Sequence, residues 1–285
     1  MAAVAALTGP TDRRQLAILV VALVAAPWLS VKYLPIVAVL AVLGAVRWWR
    51  SGRRGDVVAA AAVLGVAGAV YLVVHRVVWG GWTVYASGDH FAARGEFAVV
   101  GDAVNPVGRA LRLVALLVDR DYGLVAWQPA YLLLVPAAAA LAVTRPRHGL
   151  VVALPLATGW AVATFAAATM HGFWWPGRHV LVVVPLAVLV ILMWVDAAGP
   201  IVRAVAAALG TAGVVAYLGL LVDGYTGAFT WVLGFAEVSG PSRSLLPDYR
   251  GDFWPLHLAW CAVLVALALV SAAAARRIVA GSPRS

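Results

Sequence analysis

A chain of 285 residues that is 64% hydrophobic and 12% charged, with a mean hydropathy of +0.94, is too apolar to be a soluble globule, whose apolar share is about 45–50%. Its formal charge of +9 would suit nucleic acid, but the basic residues fall mostly between apolar runs and form no patch interleaved with aromatics. They speak for membrane orientation and against a nucleic-acid partner. The single cysteine, Cys261, allows no intrachain disulfide and reads as a small buried hydrophobe within an apolar run.

Residues 1–7 are apolar, and the first arginines, Arg13 and Arg14, come after them, the wrong order for a signal peptide. Residues 16–29 and 31–46 then predict a hairpin of two spans, turning near Pro27, Lys32 and Pro35. A basic loop, 47–54, carries Trp48 and Trp49 as expected interface anchors, and a third span follows at 57–79. The segment 79–128 is the longest interval without a membrane-length apolar run and predicts an outer polar loop. Within it, 106–119 sets Val107, Leu111, Val114 and Val118 against Arg109, Arg112 and Asp119, the pattern of an amphipathic helix lying on the membrane surface. Further spans are expected at 123–143, 150–170, 179–195, 201–222 and 254–275, with a second outer loop at 223–253. Gly65 and Gly68 are expected to serve helix packing in lipid.

The fold expected is therefore all-α: one integral membrane domain over 1–285, a helix bundle of about eight spans, each about 20 residues long. With both termini cytoplasmic, the inner side holds Arg13, Arg14, Arg47, Arg50, Arg53, Arg54, Arg145, Arg147, Arg203, Arg276, Arg277 and Arg284 against Asp12, Asp56 and Asp196. The whole +9 excess then lies inside, as positive-inside orientation requires. This places the chain in the cytoplasmic membrane as a multi-pass protein, with lipid as its surroundings.

Polar chemistry gathers in two stretches. One is the 79–128 segment, with Asp89, His90, Arg94, Glu96, Asp102, Asp119, Arg120 and Asp121; the other is 171–179, HGFWWPGRH. Two apolar segments separate them, so they should emerge on one side of the membrane as halves of one site. Arg178 and His179 follow Trp174 and Trp175, and Lys32 sits beside Tyr33 in the first outer turn. A guanidinium fork or an ammonium beside an aromatic shelf is a natural clamp for a phosphate head group. Tyr122 and Gln128 complete the expected lining. Each has a plainer reading: Trp174, Trp175 and Tyr122 as interface anchors, Lys32 and Arg178 as neutralisers of lipid phosphate, Asp119 and Asp121 as a helix-end cluster paired with Arg120, and Asp89-His90 as part of a solvated loop. No zinc-type spacing, P-loop or dinucleotide fingerprint occurs, so neither metal nor cofactor is expected.

Three stretches, 27–35 (PWLSVKYLP), 119–134 (DRDYGLVAWQPAYLLL) and 174–186 (WWPGRHVLVVVPL), together resemble the later part of bacterial membrane glycosyltransferases of the GT-C fold, the group that includes protein O-mannosyltransferase-like and lipid A sugar-transferase-like enzymes. The match lies in their order and spacing: an acidic-x-x-Tyr-Gly-Leu turn, then Pro-x-Tyr-Leu, then a Trp/Gly turn with Arg. The resemblance implies transfer of a sugar from a polyprenyl-phosphate donor at the outer face of the cytoplasmic membrane. A carboxylate would deprotonate the acceptor in an inverting step while basic groups stabilise the departing lipid phosphate. Such enzymes carry an acidic catalytic residue in the first large outer loop, and 27–35 here contains neither Asp nor Glu. A truncated or inactive form, completed by a missing N-terminal half or a partner subunit, is the corresponding expectation. The catalytic residue stays unassigned among Asp89, Glu96, Asp119 and Asp121. The alternative is a non-enzymatic polytopic membrane protein, an assembly or transport subunit; the near absence of ionisable residues within the spans weighs against transport.

Overall fold

The computed structural model describes residues 1–84, 86, 106–167, 170, 177–227, 243–251 and 254–281. These are helical, with no strand among them. Among the described residues five helical segments are long and apolar enough to cross a membrane: Val31–Arg50, Arg54–Trp79, Gly149–Ala166, Pro200–Tyr225 and Trp254–Ala280. Pro129–Thr144 and Val184–Ala197 are shorter apolar helices. Two compact units are distinguished, Met1–Val104 with Ala157–Val162, and Asn105–Leu156 with Ala163–Ser285.

The first unit comprises α1 (Ala2–Thr8), α2 (Arg13–Leu29), α3 (Leu34–Arg50) and α4 (Arg54–Trp79). Asp12 caps α2 by accepting the Gln15 amide at 2.8 Å, satisfying one of the amides that a helix start leaves without a partner. Lys32 lies half-buried in the 3-10 turn Val31–Tyr33 between α2 and α3. Gly44 lets these two helices close up, since a Cβ there would stand 2.6 Å from Leu19 Cδ2. The N-terminal segment is held by side chains from the end of α3 and the loop after it: Arg47 donates to the carbonyls of Leu7 and Gly9, Arg53 to that of Thr11 at 2.7 Å, and the Trp48 indole to that of Asp12 at 3.3 Å.

That arrangement corrects the expectation for Trp48. It is fully buried, because α1 and the 9–12 turn fold over it, whereas Trp49 is exposed and stacks with Arg54. A Cβ on Gly65 or Gly68 would meet nothing within 4 Å among the described residues, so they pack against no described helix of this unit. Toward the end of α4, His75 is buried with its ring 4.0 Å from Tyr71, which meets the edge of Trp28 at 5.0 Å.

The second unit comprises α5 (Pro106–Val118), α6 (Leu124–Trp127), α7 (Leu134–Thr144), the start of α8 (Gly149–Ala161), whose residues from Ala157 on belong to the first unit, α9 (Val184–Ala197), α10 (Pro200–Tyr225) and α11 (Trp254–Gly281). The amphipathic α5 is present, with Val107 and Leu111 exposed and Ala115–Val118 buried. Its arginines face inward: Arg109 donates to the Phe165 carbonyl at 2.7 Å and Arg112 to that of Ala167 at 2.6 Å. These carbonyls lie at the end of the π-helical turn Val162–Ala166 and just after it, where the helix dipole favours positive charge.

Two expected spans are interrupted. The run 123–143 is broken after α6, where Gln128 is extended (φ −142°, ψ 96°) before a 3-10 segment, Pro129–Leu133. Proline has no amide hydrogen and disfavours helical geometry in the residue before it. The run 179–195 becomes α-helical only at Val184, with Pro185 in its first turn; residues 177–183 form successive tight turns. The loop expected from 223 starts later, because α10 continues to Tyr225. Cys261 is half-buried. Helix α7 packs against α11, where the buried Ser271 hydroxyl donates to the Pro136 carbonyl at 2.7 Å.

Candidate functional site

The polar residues of the second unit converge on the turn between α5 and α6. The α-helix stops at Val118, and Asp119 then folds the chain on itself: its amide still reaches the Ala115 carbonyl at 2.8 Å, and its own carbonyl accepts the Gly123 amide at 3.0 Å. Asp119 is 1% exposed. Its Oδ1 accepts the amides of Asp121 at 3.0 Å and Tyr122 at 2.7 Å, and its Oδ2 accepts that of Tyr249 at 3.1 Å. A buried carboxylate needs such donors to offset the loss of water. Gly123 belongs to the same turn, since a Cβ there would press on the Asp119 backbone, 2.7 Å from its oxygen.

Asp121 faces the other way and is 4% exposed. Its two oxygens take two arginines, Oδ1 the guanidinium of Arg243 and Oδ2 that of Arg250. Arg243 is itself buried, donates through Nε to the Arg120 carbonyl at 3.1 Å, and lies 5.1 Å from the centre of the Trp127 ring. Trp127 in turn donates its indole to the Asp121 carbonyl at 2.8 Å. Burial opposes charge on Arg250, but Asp121, Asp248 and Asp119 outweigh it and push the guanidinium above its usual range.

The expected pairing of Asp119 and Asp121 with Arg120 is thus corrected. The turn sends the Arg120 side chain elsewhere, and the neutralising charges come from 243–250. Arg120 contributes through its backbone, its amide donating to the Pro247 carbonyl at 2.8 Å. Its Nε is shut off from solvent, and its guanidinium has no hydrogen-bond or ion-pair partner among the described residues.

The described parts of the two polar stretches do meet. Gly177, at φ +72°, donates its amide to the Tyr122 carbonyl at 3.2 Å, and a Cβ there would lie 2.8 Å from Leu124. Only glycine takes that backbone geometry without strain. Arg178 follows it, exposed, and His179 is half-buried. Tyr122 is buried beneath this turn. Gln128 lies lower, its side-chain oxygen accepting the Ala130 amide at 3.3 Å and its amide group pressed onto Gly213 of α10, where no side chain would fit. Its contacts are those of a helix-packing residue. Lys32 belongs to the first unit, and Asp89, Glu96, Trp174 and Trp175 lie outside the described residues.

Arg243, Tyr249 and Arg250 were not anticipated. The sole sequence signal was electrostatic: 243–250, RSLLPDYR, offers two arginines beside an otherwise apolar stretch, and two buried carboxylates need cations. Tyr249 sits with its ring edge-on to His257 at 4.5 Å, and its hydroxyl is pushed well above the usual tyrosine range by burial, then by the charges of Cys261 and Asp119. Among the described residues no three His, Cys, Asp or Glu side chains gather where they could hold a metal ion. No protein-family model, curated protein or solved structure matches the chain.

Proposed function

We propose that the chain is a multi-pass protein of the cytoplasmic membrane related to GT-C glycosyltransferases, which receives the phosphate of a polyprenyl-linked sugar at the outer face, where 119–128, 177–179 and 243–250 converge. The observation that carries this reading is the unequal charge of that convergence. Arg243 and Arg250 are committed to Asp121, whereas the Arg120 guanidinium has no acceptor among the described residues; the Gly177 amide, donating to the Tyr122 carbonyl, ties the turn that carries the exposed Arg178 to the same segment. A guanidinium fork matches phosphate oxygens in a bidentate manner. The apolar α9, beginning a few residues after Arg178, offers an isoprenoid tail a surface to run along.

The same geometry bears on catalysis. The oxygens of Asp119 are occupied by three amides and those of Asp121 by two arginines, so both carboxylates act as braces of the turn. Asp89 and Glu96 remain as the candidate bases if the chain transfers sugar. The commitment of Asp119 and Asp121 to structure also favours a second reading, an assembly subunit that binds the lipid phosphate without reacting it.

Polyprenyl-phosphate binding to the purified protein in detergent tests the reading. Arg178→Ala and Arg120→Ala should each lower affinity roughly ten- to a hundredfold, as expected for the loss of charge-assisted hydrogen bonds worth about 1.5–3 kcal/mol each; Arg178→Lys should lose less. Equal binding by wild type and all three variants would remove the support for a lipid-phosphate ligand. Sugar transfer that survives in these preparations and disappears in Asp89→Asn or Glu96→Gln would decide for the enzyme over the subunit.

A further inference from the structure

A second binding feature lies toward the other end of the same unit. Helices α7, α9, α10 and α11 line an apolar groove of about 690 Å³ there. That volume is within the range of ligand-holding sites, about 300–1,000 Å³. Its walls include Leu141, Trp194, Val202 and Val270, and its floor reaches Ser271, whose hydroxyl is already spent on the Pro136 carbonyl. No acidic side chain lines it. Its lining includes Thr144 and Pro146, which flank Arg145, and Ala275 and Ile278, which flank Arg276 and Arg277.

The arginines at that end are unlike those of the Asp121 cluster. Arg203 spends its guanidinium on the carbonyls of Val195 and Asp196, and Arg145 reaches that of Ala142. Arg147, Arg276 and Arg277 are exposed and have no acceptor among the described residues. An apolar slot with three guanidiniums next to its lining residues in the chain, none neutralised among the described residues, is complementary to a molecule with a hydrocarbon tail and an anionic head. We infer that the groove is a site for one anionic phospholipid, an acyl chain lying in the slot that α7 and α11 form with α9 and α10 and the phosphate held by Arg147, Arg276 and Arg277. The inference stands independently of the transferase reading, which concerns the opposite end of the unit. Positive-inside orientation would put this collar in the leaflet where anionic lipid attracts basic segments.

The experiment compares lipid retained by the full-length protein after detergent purification and exposure to equal amounts of phosphatidylglycerol and phosphatidylcholine, read by native mass spectrometry. Wild type should retain phosphatidylglycerol preferentially at a stoichiometry near one. Arg147→Gln, Arg276→Gln and Arg277→Gln should erode that preference roughly fivefold each, the worth of about 1 kcal/mol per basic residue near an anionic surface. Ala274→Trp places a large ring on the groove wall from an exposed position and should reduce retention of both lipids. Equal retention of the two lipids by wild type would overturn the site and leave ordinary surrounding lipid. So would unchanged retention by a folded Ala274→Trp protein. A wild-type dimer that the tryptophan dissociates would instead assign the groove to a second copy of this chain. If the tryptophan variant does not fold, the arginine series decides alone, and an unaltered lipid preference across it would sink the proposal.

Discussion

Both units pin a peripheral segment with a pair of arginines, and they do so with different acceptors. In the first, Arg47 and Arg53 hold residues 7–11 through backbone carbonyls. In the second, Arg243 and Arg250 hold 243–250 through one carboxylate, Asp121. A carbonyl is part of every residue, so the first clasp survives almost any substitution in the segment it grips, and its strength is divided among separate bonds. The second arginine pair shares one carboxylate, buried together with Arg243, where removing either partner leaves the other without compensation. Apparent similarity of composition, two arginines near a loop, therefore conceals a tolerant device and a brittle one.

The largest effect should come from Asp121→Asn. It strands the buried Arg243, and loss of one partner of a buried ion pair costs about 3–5 kcal/mol. The expected outcome is poor accumulation in the membrane and a sharply lowered thermal midpoint in detergent. Arg243→Gln combined with it should lose less than the sum of the single changes, and strict additivity in that cycle would show the pair to be uncoupled.

Asp119→Asn comes next. An amide can still accept from Asp121 and Tyr122 at one atom, but the other becomes a donor facing the Tyr249 amide. About 1–3 kcal/mol should be lost, with loosening of 246–251 visible as faster hydrogen exchange there. Protection unchanged at Tyr249 would mean that Asp119 does not seat this loop.

Arg47→Ala should be milder, about 1–2 kcal/mol, because two carbonyls lose a donor while Arg53 and Trp48 keep their hold on Thr11 and Asp12. Limited proteolysis should then cut within 8–12 sooner than in wild type, with the rest of the chain unaffected. A loss as large as that of Asp121→Asn would erase the contrast between the two clasps.

These differences explain what could be read in advance. Apolar runs predict where helices lie, because a membrane requires every backbone group to be satisfied within the segment, and the helices fall where the runs do. The breaks at Gln128 and before Val184 were signalled by Pro129 and Pro185, yet hydropathy averaged across them. The partners of Asp121 were out of reach for another reason: Arg243 is 122 residues away, and nothing local to either residue records the pairing. Trp48 is the converse case. A tryptophan among arginines has the composition of an interface anchor, and only the fold of 1–12 over it makes it core.

The smallest effect concerns Tyr249, whose hydroxyl is raised by burial first and then by the charges of Cys261 and Asp119. In the unfolded chain a tyrosine ionises near pH 10 or about that value. Because the folded form holds its proton to higher pH, stability from this group is fully present below about 10 and declines as pH rises above it, by at most about 1.4 kcal/mol per pH unit. The exposed part of the ring, screened by water, makes the real slope shallower. Tyr249→Phe keeps the amide on Asp119 and the ring beside His257 but removes the ionisable group. Thermal midpoints of the two proteins should therefore run parallel up to about pH 10 and then diverge, wild type falling faster. The other tyrosines are common to both and cancel in the difference. Curves that stay parallel to pH 11 would place the hydroxyl in open water and unseat Tyr249 from beside Asp119.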